Sequence, residues 1–151
     1  MPKIEIAKVP EHHGSDYPAP YAEPVGARIR QALGRAGGLT DVGINLVHLP
    51  AGSWSSQRHW HTREEEFVYV LSGELTLLTD AGEQQLRAGD CAAFPKNVPD
   101  GHHMINRSEK TAVYLDIGTR CADDACSYSD IDLHLEPEPA NYSHKDGGSY
   151  P

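Results

Sequence analysis

The sequence predicts an all-β fold, a barrel or two-layered sandwich, and three observations carry that prediction. Short runs rich in Val, Leu, Ile, Thr and Tyr succeed one another between about residues 42 and 117. Turn residues break them every eight to twelve positions or so, at Pro50–Gly52, Ser72-Gly73, Asp80–Gly82, Ala88-Gly89 and Pro95–Gly101. Antiparallel strands this short need two packed layers or closure to bury their apolar faces.

Taken in order, residues 1–41 read as an N-terminal arm rich in Pro and Tyr, with an edge strand at Ile4–Val9 and two helical turns over Ala27–Leu33 that Gly34 stops. The barrel spans residues 42–118. Its expected strands are Gly43–Leu49, Ser55–His61, Glu66–Ser72, Glu74–Thr79, Gln84–Arg87, Asp90–Phe94, His103–Asn106 and Ala112–Ile117, with a hairpin about Ser72-Gly73. Residues 119–151 are polar with only a weak Ile131/Leu133/Leu135 alternation, and read as a C-terminal arm folded over the barrel or partly disordered.

At 151 residues the chain fits one domain. Its net charge of −9, from 13 basic and 22 acidic residues, argues against nucleic acid and anionic membrane, which need a basic surface. Three cysteines make no disulfide framework. The N-terminus lacks the apolar core of a signal peptide, so the expected location is cytoplasmic.

The chemistry concentrates in His59-Trp60-His61-Thr62-Arg63-Glu64-Glu65-Glu66. Two imidazoles two residues apart share one face of a strand, and a carboxylate can return to that face across a tight turn. Gly101-His102-His103 offers a fourth donor downstream. Three imidazoles and one carboxylate suit one divalent ion such as Zn, Mn, Fe, Ni or Co.

The pattern resembles the cupin superfamily, double-stranded β-helices of jelly-roll topology. His59-x-His61-x4-Glu66-x6-Gly73 matches the family's first motif, with Gly52 one residue too far upstream. Gly89-x5-Pro95 and His102-x3-Asn106 match the second, although Asn97 replaces its inner Gly and the loop is two residues longer. Pro50–His61, Gly89–Phe94, Val98–His103 and His144-Lys-Asp-Gly are similar to stand-alone bacterial cupins, some described as sugar-phosphate isomerase-like. The resemblance implies metal ligands His59, His61, Glu66 and His102. Glu66 is preferred over Glu64 and Glu65 by its spacing to Gly73, and His102 over His103 by its spacing to Asn106.

The parity that puts Glu66, Val68 and Val70 inside the barrel turns Phe67, Tyr69 and Leu71 outward, against another sheet or subunit. With the family's habit of dimerising, this implies a homodimer. Gln57 shares parity with His59 and His61, and Tyr114 and Asp116 share a face of the last strand. These three are the candidate catalytic residues, each with a structural alternative. Arg58 and Trp60, of opposite parity, are expected to pack on an arm or a partner. A metal site of this kind on a small oxygen-rich metabolite suits an isomerase or epimerase. An Fe(II) dioxygenase, a lyase and a non-catalytic small-molecule binder remain as alternatives.

Overall fold

The computed structural model describes residues 2–151. The strands in chain order are β1 Glu11–His13, β2 Ile29–Ala32, β3 Val42–Leu49, β4 His59–His61, β5 Glu66–Ser72, β6 Glu74–Thr79, β7 Gly82–Arg87, β8 Cys91–Phe94, β9 His103–Ile105, β10 Ala112–Thr119, β11 Cys126–Tyr128, β12 His134–Leu135 and β13 Tyr142–Ser143. A single helical turn, α1, covers Leu33–Ala36.

One wall is a six-stranded sheet in the order β1-β2-β3-β10-β5-β8. The other combines β13-β12-β11-β4 with β7-β6-β9, linked by single bridges at His59↔His102 and Trp54↔Ile105. Every paired strand is antiparallel, so side chains directly opposite one another share a face.

That rule produces inward rows of graded polarity. Val47, Tyr114 and Val70 form one row, Asn45, Asp116, Val68 and Ala92 the next, and Gly43, Gly118, Glu66 and Phe94 the last. At the apolar end these residues pack with Leu49, Leu75, Leu77, Leu86 and Met104 across the two walls. Leu49 and Leu75 are 0% exposed, and truncating either to Ala costs about 2–5 kcal/mol. The apolar end closes the barrel, and the opposite end is left polar.

The hairpin turns where expected, at Gly73, whose φ of 77° lies in the left-handed region. A Cβ there would sit 2.9 Å from Ala112 Cα. Among the described residues no helix is long and apolar enough to cross a membrane.

The arms depart from expectation. Ile4–Val9 holds a 3-10 turn at Ile6–Lys8, and the edge strand is Glu11–His13. Ala27–Leu33 is not helical. Ile29–Ala32 pairs with β3, and the helical turn begins at Leu33 and contains Gly34. Pairing overrides the weak helix propensity here. Buried Gln31 donates from Nε2 to the carbonyls of Ile6 and Val9, and Gly34 packs so closely that a Cβ would meet Ile44 N at 2.9 Å. The strand expected over Ser55–His61 shortens to His59–His61. Residues 119–151 contribute β11, which pairs with β4 and thereby with the His-x-His segment itself.

Candidate metal centre

β4 presents His59 and His61 on one face, with ring centroids 5.1 Å apart. The bridge His59↔His102 sets the third imidazole opposite the first at 4.8 Å. The chain returns through Thr62–Glu65 to Glu66, the first residue of β5. Glu66 Oε2 then lies 3.4 Å from His59 Nε2, 3.5 Å from His61 Nε2 and 2.7 Å from His102 Nε2.

These separations suit donors around one ion. Ligands at ~2.1 Å from a metal lie roughly 3.0–3.4 Å from each other in octahedral or tetrahedral arrangements. Glu66 Oε2 is shielded from solvent and has no aligned hydrogen bond, despite three nitrogens within reach. A buried carboxylate oxygen without a partner is costly, and a cation at the meeting point of the four donors satisfies it. The residues fit a divalent metal.

The histidines are oriented from behind. His59 Nδ1 faces the Gln57 carbonyl at 2.8 Å, and His61 Nδ1 faces Asp124 Oδ2 at 2.6 Å. Each contact puts the proton on Nδ1 and turns the Nε2 lone pair inward. The His102 ring stacks on Phe94, centroids 3.6 Å apart. His103 turns away, its Nδ1 at 2.9 Å from the Ser56 carbonyl and its ring against the edge of Trp54.

Charge follows geometry. Burial alone would push Glu66 up, but His59 and His102 outweigh it and hold the carboxyl well below its usual range. Burial would push His59 down, yet Glu66 more than offsets it and the imidazole is raised. His102 is lowered, with burial dominant over its contact with Glu66.

The loop before His102 also has a local explanation. Asn97, standing where the family motif has glycine, adopts φ 57°, a conformation Asn tolerates better than most residues. Its N–H donates to the His61 carbonyl. Arg58 clamps the same loop to the C-terminal arm, bonding Asp80, Asp130 and the Gly101 carbonyl.

Of the candidate catalytic residues, Tyr114 and Asp116 line a cavity of about 200 Å³ shared with the histidines and Glu66. Burial raises both, and Glu66 adds to the effect on Asp116. Gln57 is not brought there. Its Nε2 donates to the Tyr21 carbonyl and its N–H faces the Tyr17 hydroxyl, so it ties down the N-terminal arm.

Sequence reasoning missed Asp124. Besides His61, it accepts the N–H groups of Arg63 and Glu64, shaping the turn that delivers Glu66. The Asp123-Asp124 pair beside Cys126 was the available signal, but nothing local shows that it meets a turn sixty residues earlier. Cys126 lies opposite His61 across the β4–β11 pair and Tyr128 opposite His59. Burial keeps the Cys126 thiol protonated. A second cavity, about 340 Å³, opens on the other side of His61, Glu66 and His102 and is lined in part by Trp60, Leu77 and Val98.

The Cupin domain family model matches residues 45–118. A cupin-superfamily sugar phosphate isomerase from Silicibacter pomeroyi DSS-3 is 38% identical over 99% of this chain and 97% of its own, with a TM-score of 0.95. The chain belongs to the cupin superfamily. A protein of Acidithiobacillus ferrooxidans, assigned provisionally as a sugar phosphate isomerase, is 31% identical over 83% of this cupin and 81% of its own chain, TM-score 0.75. A predicted oxalate decarboxylase from Thermotoga maritima shares the fold at 18% identity, covering 79% of this cupin and 99% of its own chain, TM-score 0.64. A search of curated proteins finds no match.

Proposed function

We propose that this cupin is a metal-dependent isomerase or epimerase acting on a small, oxygen-rich metabolite. The observation that carries the reading is the convergence of three Nε2 atoms on the buried, unpartnered Glu66 Oε2 beside a polar cavity. His59, His61, His102 and Glu66 would hold one divalent ion. Bound there, it would supply Lewis acidity to adjacent substrate oxygens. The sugar phosphate isomerase relative, 38% identical, supports the substrate class.

The chain's own residues supply the rest. A shift of a proton between neighbouring carbons needs one group that takes it from the first and returns it to the second. Asp116 suits that part, since it faces the cavity while the other carboxylates there are engaged. Glu66 meets the histidines, and Glu64 accepts the Cys121 N–H and faces Arg120. Tyr114, raised by burial, stays protonated and can donate. Phe94, flat on His102, fixes the plane of that imidazole.

The test is metal analysis of purified protein, then a turnover screen of aldose and ketose phosphates with and without air. One ion per chain, air-independent isomerisation, and loss of turnover with metal retained in Asp116→Asn are expected. Protein without metal, or Asp116→Asn at full rate, overturns the reading. Iron with oxygen-dependent turnover would replace it with a dioxygenase.

The outer face of the six-stranded sheet supports a homodimer. Rows Ile44–Ile117–Phe67 and Leu46–Leu115–Tyr69 run side by side there, with Phe67, Tyr69 and Leu71 36–45% exposed, a continuous apolar surface of the kind partners cover. The three free cysteines suit a cytoplasmic setting.

A further inference from the structure

The cavity behind the metal centre holds three guanidinium groups that the mechanism above does not use. Arg28, one residue before β2, Arg30 within β2, and Arg120, just past the end of β10, all line it. Arg30 is half-buried and makes no hydrogen bond or ion pair with another described residue. Its surroundings hold two further cations, Arg28 and Arg120, and two carboxylates, Asp116 and Asp16. Arg28 spends Nη1 and Nη2 on the carbonyls of Ser55 and Gly14, leaving Nε buried without a partner. Arg120, its side chain 51% exposed, is met among the described residues by Glu64 alone, at 3.7 Å. Asp116 faces the same space, yet no ion pair joins it to any of the three.

Like charges crowded around one cavity repel, and an incoming anion relieves that repulsion and supplies acceptors to the unused N–H groups of Arg28 and Arg30. The fold also makes room for one of the cations. A Cβ on Gly43 would lie 2.0 Å from Arg120 Nη2. A glycine inside a paired strand weakens it unless something must approach closely, and here the guanidinium lies over it.

We propose that Arg28, Arg30 and Arg120 form an oxyanion subsite, so that the substrate carries a compact phosphate or carboxylate group while its hydroxyl or carbonyl oxygens reach the metal. Planar forks of N–H donors suit both anions, and a cavity of about 200 Å³ admits a small one. Gly43 is then a positioning residue, acting through Arg120. The inference rests on the proposed function for its link to the metal.

The experiment is calorimetric titration of the full-length protein with inorganic phosphate, and separately with acetate and glycerol, with metal content measured on each sample. Saturable phosphate binding is expected, about 10- to 100-fold weaker in Arg30→Met and in Arg120→Met, with metal content unchanged and glycerol inert. Arg30→Lys should keep part of the affinity. Gly43→Ala should weaken binding by displacing Arg120, and circular dichroism establishes that each variant is folded. Tighter phosphate than acetate assigns a phosphorylated substrate, and the reverse a carboxylate; either supports the subsite. Binding of neither phosphate nor acetate by metal-loaded wild type overturns the subsite and leaves the metal reading standing. Phosphate binding indifferent to both arginine variants overturns it as well. Arginine-dependent binding by protein that takes up no metal would uphold the subsite and overturn the metal reading.

Discussion

Replacing Asp124 by Asn separates the shape of the site from its chemistry. The carboxylate's Oδ2 contacts His61 Nδ1 at 2.6 Å, and Oδ1 accepts N–H from Arg63 at 2.7 Å and Glu64 at 3.0 Å. An amide of the same shape cannot serve both sides. With its oxygen kept on the two backbone donors, its NH2 faces His61, which must present an Nδ1 lone pair and carry its proton on Nε2, the atom aimed at the metal. Turned over, the amide sets NH2 against two N–H groups. The first arrangement sacrifices less, so the turn survives and the ligand is spoiled. Loss of such an orienting partner costs about 10- to 100-fold in metal affinity, or roughly 1.4–2.8 kcal/mol. Asp124→Ala removes the acceptor altogether, and with the Asp124 side chain only 9% exposed the fold should lose roughly 2–3 kcal/mol as well. That corresponds to a drop of about 5–10 °C in melting temperature. Competition with a chromophoric chelator measures the affinity, and thermal melting in excess chelator measures the fold. Wild-type metal affinity in Asp124→Asn would refute the assignment of Asp124 as the residue that orients His61.

Three further outcomes test the same picture. His102→Ala should abolish stoichiometric metal binding whereas His103→Ala should retain it, because His103 faces Ser56 and Trp54; elemental analysis giving the opposite pattern would exchange their roles. Metal loading should strengthen as pH rises from about 6 to about 8, since the ion must displace the proton that Glu66 favours on His59, while burial shifts His102 toward its neutral form; affinity flat across that interval would count against His59 as a ligand. Tyr69→Glu should yield a monomer in sedimentation with secondary structure intact, as the residue is 39% exposed on the outer apolar face; an unchanged dimer would move the interface elsewhere.

The sequence was most legible where one periodicity governs a whole strand. The alternation in β5 assigns Val68 and Val70 inward and Phe67, Tyr69 and Leu71 outward, and their burial agrees; in β3 and β10 it shows only which residues share a face, and the pairing with β5 turns Val47 and Tyr114 inward. His59, His61, Glu66 and His102 meet because a period-two pair, a turn and a cross-strand bridge bring them together. Parity failed at Gln57 because the chain is not a strand there: Ser55 N–H donates to the Met104 carbonyl and Gln57 turns to Tyr21. It failed again over Ala27–Leu33, where a helical assignment concealed that Arg28 and Arg30 alternate onto a single face.

Those two failures share a cause, and it bears on how the site is built. The barrel strands carry the four donors, and their pattern is local. The groups that orient and surround the donors come from the arms: Tyr17, Arg28 and Arg30 from the N-terminal side, Asp124, Cys126 and Tyr128 from the C-terminal side. Such contacts span some thirty to sixty residues of sequence, and no short-range pattern encodes them. A barrel reduced to residues 42–118 would therefore keep all four ligands and lose both the carboxylate behind His61 and every arginine of the cavity. What the arms add is control over which nitrogen of His61 faces the ion and what charge awaits beside it.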